Sequence, residues 1–116
     1  MDAITTGDNN VAMGEHALGA LNTGADNVAI GYNAGSSATD GSYSVMIGRN
    51  AGAANNDRLT AVGYYAGAAS TAIANTFVGF NTGSATTSGG YNTAVGYNAY
   101  YQPDTEQYNT AVGYAA

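Results

Sequence analysis

The chain has 116 residues, with two arginines and no lysine against eight carboxylates, a formal net charge of -6, and no cysteine. That balance excludes a basic surface for nucleic-acid phosphates, the missing thiols exclude a disulfide framework and a thiolate metal site, and the length excludes more than one modest domain. Leu, Ile, Val and Phe supply only 16 residues and charged residues are 9% of the chain, a composition nearer to a low-complexity structural protein with a thin core than to a solvated, highly charged tail.

Residues 1–7 carry neither a cationic region nor an apolar run, and no later run approaches the length of a membrane span, so neither a signal peptide nor membrane insertion is expected. From residue 10 onward a five-residue motif recurs seven times, at 10–14, 27–31, 44–48, 59–63, 75–79, 92–96 and 109–113. Its consensus is Asn-(Thr/Val)-Ala-(Val/Ile)-Gly, commonly followed by Tyr-Asn-Ala-Gly. The closing glycines Gly14, Gly31, Gly48, Gly63, Gly79, Gly96 and Gly113 are spaced 17, 17, 15, 16, 17 and 17 residues apart. That period is too short for a propeller blade, a helical repeat or a leucine-rich repeat and suits one coil of a β-solenoid. Collagen and helix are both excluded by the glycine spacing.

Each copy alternates with the period of a pleated strand. In the sixth, one face carries Tyr91, Thr93, Val95, Tyr97 and Ala99, and the other Asn92, Ala94, Gly96 and Asn98. The second place is β-branched in every copy, which is strand chemistry. The bulky residues Val11, Met13, Val28, Ile30, Val45, Ile47, Val62, Val78, Val95 and Val112 are assigned as the core of the repeat. With coils stacked in register, Asn10, Asn27, Asn75, Asn92 and Asn109 line up as a ladder of amide hydrogen bonds, interrupted at Ser44 and Leu59. Directly after the glycine, Tyr32, Tyr64, Phe80, Tyr97 and Tyr114 form an aromatic column, interrupted at Glu15 and Arg49.

The return half of each copy, as in 22–26, 36–41 and 84–90, is turn-forming and nearly free of large apolar groups. Ile4, Leu18, Leu21 and Ile73 are the exceptions. A lone chain therefore leaves its bulky strand face with little to press against, and identical chains burying those faces against each other, as in a threefold prism, would supply the missing interior. Joining tail to head regains an interval of one repeat, and Thr6 to Asn10 then align with Thr23 to Asn27, so head-to-tail stacking is a further expectation.

The stretches Asn27-Val28-Ala29-Ile30-Gly31-Tyr32-Asn33-Ala34-Gly35 and Asn92-Thr93-Ala94-Val95-Gly96-Tyr97-Asn98-Ala99 resemble two related repeat families. One is the head repeat of trimeric autotransporter adhesins (YadA-like), a left-handed β-roll trimer. The other is the Asn-Thr-Ala-Val-Gly-Tyr repeat in the shafts of phage tail fibres and related trimeric appendages, which matches better in its tyrosines and period. The resemblance covers essentially the whole chain. It implies a homotrimer in a virion or an extracellular appendage, in which such repeats act as spacers as often as binders.

Other residues give weaker signals. His16 is the only imidazole and has no nucleophile at a recognisable spacing, so it reads as a solvated turn residue. Asp8, Asp26, Asp40 and Asp57 precede the next repeat glycine by unequal intervals and so form no aligned calcium ladder; no metal or cofactor is expected. Thr60, Thr76, Thr93 and Thr110 resemble an ice-binding column, but valine takes that place in the first three copies. The loop at 100–104 departs most from the repeat and is the expected place for variation or recognition. The expectation is thus an all-β, repetitive β-solenoid over residues 1–116, homotrimeric and fibrous, with a structural and non-enzymatic role. The second expectation is a receptor-binding or adhesin module that reads surface glycans through exposed aromatics.

Overall fold

The computed structural model describes residues 7–54, 57–102 and 105–116. Seven short strands follow one another up a single parallel sheet: β1 (Val11–Met13), β2 (Val28–Ile30), β3 (Val45–Ile47), β4 (Thr60–Val62), β5 (Thr76–Val78), β6 (Thr93–Val95) and β7 (Thr110–Val112). Every motif copy is thus a strand, the described residues between them are loops, and the chain winds as an all-β solenoid of about six turns. Like places pair with like: Val11 lies opposite Val28, Ala12 opposite Ala29 and Met13 opposite Ile30. The 15- and 16-residue intervals leave that register intact, since Val45 still faces Thr60 and Thr60 faces Thr76. The missing residues are taken from the loops.

Three-residue strands joined at such short intervals need sharp corners, and the backbone makes them in the left-handed region. The residue before each motif has φ between +54° and +61° in all seven copies, and the second residue after the glycine between +48° and +59°. Asn and Asp, which tolerate this conformation best, occupy several of these places, among them Asn9, Asp26, Asn33 and Asn98. The repeat glycines themselves have φ from +126° to +137°, a region essentially closed to other residues. A Cβ on Gly31 would also lie 2.7 Å from the carbonyl oxygen of Gly48 in the next coil. Backbone geometry and coil-to-coil approach both demand glycine here.

The interior is narrow, and what fills it corrects the sequence expectation. The third place of the motif points inward: Ala29, Met46, Ala61, Phe77 and Ala94 are fully or almost fully buried. Opposite them stand Ala17, Ala34, Ala51, Ala66, Thr82 and Ala99, also buried, with Leu18, Leu21 and Leu59 completing the core. Val11, Met13, Val28, Ile30, Val45, Ile47, Val62, Val78, Val95 and Val112, assigned to the core from the sequence, lie half-buried or exposed on the outer face. The reason is volume. Two walls of backbone so close together accept a methyl from each side, and where Met46 or Phe77 enters, a glycine stands across from it. A Cβ on Gly52 would lie 2.7 Å from Met46 Cγ, and one on Gly67 2.9 Å from Phe77 Cδ2. Where that glycine is replaced by Leu18 or Tyr100, the facing third places are alanines.

Candidate interaction face

Burial of Asn27 comes with two hydrogen bonds from its side chain to the next coil. Asn27 Oδ1 accepts the backbone N–H of Ser44 at 3.0 Å, while Asn27 Nδ2 donates to the Gly41 carbonyl at 2.8 Å. The same pair recurs one coil below, where Asn10 takes the Asn27 N–H at 3.0 Å and donates to Gly24 at 2.8 Å. It recurs above, where Asn75 takes the Asn92 N–H and donates to Gly89, both at 2.8 Å. Asn92 in turn takes the Asn109 N–H at 2.9 Å. The expected ladder therefore runs mainly from side chain to backbone; its amide-to-amide contact is Asn109 Nδ2 to Asn92 Oδ1, 3.3 Å. Ser44 does not interrupt it, because Ser44 Oγ accepts the Leu59 N–H at 3.0 Å. Leu59, which has no polar atom in its side chain, is the break.

Tyr100, from the loop expected to vary, joins this ladder. It is 8% exposed, and its hydroxyl accepts from Asn109 Nδ2 at 2.9 Å and lies 3.2 Å from Asn92 Oδ1. Burial, aided by the nearby Glu106 carboxylate, pushes its pKa up and holds it as a neutral donor despite the opposing pull of the Asn109 bond. Tyr101 and Gln102, from the same loop, line an apolar hollow of about 480 Å³ with Asn98, Tyr100, Ala115 and Ala116. The remainder of that expected site, Pro103 and Asp104, lies outside the described residues.

The outer face is where unsatisfied apolar area collects. Its two central columns, the second and fourth places of the motif, contain only Val, Ile, Met and Thr, with no charge in any of the seven copies. Two margins flank them. On one, Tyr64, Phe80, Tyr97 and Tyr114 stack nearly parallel, with centroids 5.1, 4.9 and 5.2 Å apart. Spacing between coils sets that distance, close to the sum of a strand separation and a slight stagger. Tyr32 stands apart from that stack, with the Arg49 guanidinium 5.1 Å over its ring. His16 meets the same ring edge-on at 6.1 Å and sits 3.4 Å from Glu15. Four members, Tyr32, Tyr64, Phe80 and Tyr97, remain 41–46% exposed.

The opposite margin, formed by the residue before each motif, holds a second stack that the sequence reading did not single out: Tyr91 on Tyr108, centroids 5.3 Å apart. Their common place, 17 residues apart, was the available signal. Among the described residues no three His, Cys, Asp or Glu side chains gather as a metal-binding group. No family model, curated protein or solved structure matches the chain.

Proposed function

We propose a structural, non-enzymatic role: the chain is an element of a fibre in which identical copies, three around a common axis, bury their outer sheet faces against one another. A viral tail-fibre shaft and an extracellular filament both fit this role, and stacking of copies end to end would lengthen it. The observation that carries the reading is the uncharged pair of central columns, exposed in the first strand and the last two and half-buried in most of the coils between. Seven coils at about 4.8 Å and a strand stretch of about 20 Å give a face of roughly 600 Å², approaching the roughly 800 Å² per partner of a stable interface. In the inner coils Ile47 and Val95 are 36% and 38% exposed, and in the end coils Val11, Met13 and Val112 reach 52%, 59% and 67%, area that self-association covers at about 25 cal/mol per Å².

Sedimentation equilibrium tests this directly. A mass near three times 11.6 kDa is expected, and a monomer at micromolar concentration refutes the proposal. A second reading, a glycan-binding module, draws on the exposed aromatic column, because sugar rings stack on such faces. It predicts retention on a glycan array that is lost in Tyr97→Ala; the fibre reading predicts no retention.

A further inference from the structure

We propose that the sixth and seventh coils form a site of oxidative cross-linking within one chain. Peroxide-driven one-electron oxidation there joins Tyr97 to Tyr114 on one margin of the sheet, and Tyr91 to Tyr108 on the other, as dityrosines. The inference goes beyond the fibre reading and holds for a single copy as well as for an assembly.

Register makes both pairs. Strands β6 and β7 run parallel with Thr93 opposite Thr110 and Val95 opposite Val112, so the tyrosines two places outside each strand fall one above the other on adjacent coils. The rings of Tyr97 and Tyr114 stack at 5.2 Å and 5°, and those of Tyr91 and Tyr108 at 5.3 Å and 12°. Backbone bonds hold the pairs in place: the Ala115 N–H donates to the Tyr97 carbonyl at 2.9 Å, and the Tyr108 N–H to the Gly90 carbonyl at 3.4 Å. All four side chains are 46–79% exposed, which admits an oxidant and leaves the rings free to slide and tilt into bonding distance.

The other six of the ten tyrosines are placed differently. Tyr64 stacks on Phe80, which has no hydroxyl to oxidise, and Tyr32 lies under the Arg49 guanidinium. Tyr43 and Tyr101 have no aromatic at their place in the adjacent coil: Asp26 and Arg58 flank the first, and Ser84 lies below the second. Tyr100 is buried, with its hydroxyl in the asparagine ladder. Tyr64 and Tyr65 touch at 4.6 Å, but their rings are tilted by 47° and, as neighbours in sequence, they would join no two coils.

The chemistry balances. Each phenol gives up one electron and one proton to become a phenoxyl radical, and hydrogen peroxide takes both electrons and both protons of a pair to become two waters. The radicals form one carbon–carbon bond between ring carbons ortho to the hydroxyls, and the displaced ring hydrogens return to the oxygens as protons. Contact in advance makes the coupling intramolecular, so at micromolar protein it outruns an encounter between chains. Each bond spans 17 residues and ties β7 to β6 as a disulfide would.

Treatment of the full chain with a haem peroxidase and hydrogen peroxide tests this. The expected product migrates as a single chain on a denaturing gel, shows dityrosine fluorescence and is lighter by two hydrogens per bond. Cleavage after Glu106 parts Tyr91 and Tyr97 from Tyr108 and Tyr114, so the linked product yields both peptides as one species by mass. Tyr108→Phe/Tyr114→Phe keeps the stacked rings and is expected to lower intrachain dityrosine at least about tenfold. Phe80→Tyr places a phenol above Tyr64 and is expected to add a link between places 64 and 80. The inference is overturned by no dityrosine at all, by dityrosine only between chains or only between Tyr64 and Tyr65, or by an undiminished yield in Tyr108→Phe/Tyr114→Phe. A monomer in sedimentation removes the fibre reading and leaves this one standing.

Discussion

At the scale of single residues, the buried asparagines owe their place to having one acceptor and one donor at the end of a short stem. Asn27 satisfies an N–H and a carbonyl of the next coil that would otherwise be left facing the interior. Asn27→Ala strands both, and each unsatisfied buried group costs about 1–3 kcal/mol, so a loss of about 2–4 kcal/mol is expected in urea unfolding. Asn27→Ser should fall between, because Ser44 shows that a hydroxyl keeps the acceptor role while its own donation reaches only Ser42, within its coil, at 3.3 Å. Equal losses for the two variants would show that the acceptor contributes nothing and that the whole effect lies in the amide donor. Thr86 is the converse case. Its side-chain oxygen is buried without a hydrogen-bond partner, so the near-isosteric Thr86→Val should raise stability by about 1 kcal/mol, readable as an increased urea midpoint. The column of asparagines was legible from spacing alone. Their bonding partners were not, since a spacing does not say whether an amide reaches its own kind or the backbone, and Ser44 looked like an interruption for the same reason.

At the scale of the strand, the sequence reveals two faces but not which of them is inside. Bulk alone points to Val, Ile and Met as core, and in a sheet packed on another layer that rule holds. In a single coil the opposing wall is too near, and alanine with asparagine becomes the inward set, as Ala29 and Asn27 show. The glycine that ends each strand follows from the same closeness. Gly31→Ala combines a backbone conformation hostile to a side chain with a contact at 2.7 Å to Gly48 of the coil above. Gly113 has a φ of +132° as well, but its nearest neighbour for an added Cβ is Ala116 Cβ, 3.8 Å away. Conformational strain of this kind is about 1–3 kcal/mol, so Gly113→Ala should lose about that much and Gly31→Ala clearly more. Thermal unfolding of the two variants side by side separates the strain from the clash. Identical losses would mean that the coils can part slightly at no cost.

At the scale of the molecule, stability in a solenoid is close to a sum of terms between adjacent coils, and here those terms are of two kinds. Polar ladders join Asn10, Asn27 and Ser44 on one side and Asn75, Asn92 and Asn109 on the other. Between them lies an apolar plug of Met46, Leu59 and Phe77, all buried, where the two short intervals fall. The period and strand positions were readable in the sequence because every coil repeats them. The plug was not, because it depends on which coils depart from the consensus and on glycines placed across the lumen. Hydrogen exchange can distinguish the two kinds of term. Asn27→Ala should lower protection in β1 to β3 by about tenfold or more and leave β5 to β7 within about threefold, since its bonds end at the third coil. Phe77→Ala removes a ring against which Gly67 and Gly83 are both fitted, at a cost of about 3–5 kcal/mol, and should lower protection on both sides of the plug together. If Asn27→Ala instead lowers protection evenly from β1 to β7, the coils unfold as one cooperative unit and the division into two ladders has no energetic meaning.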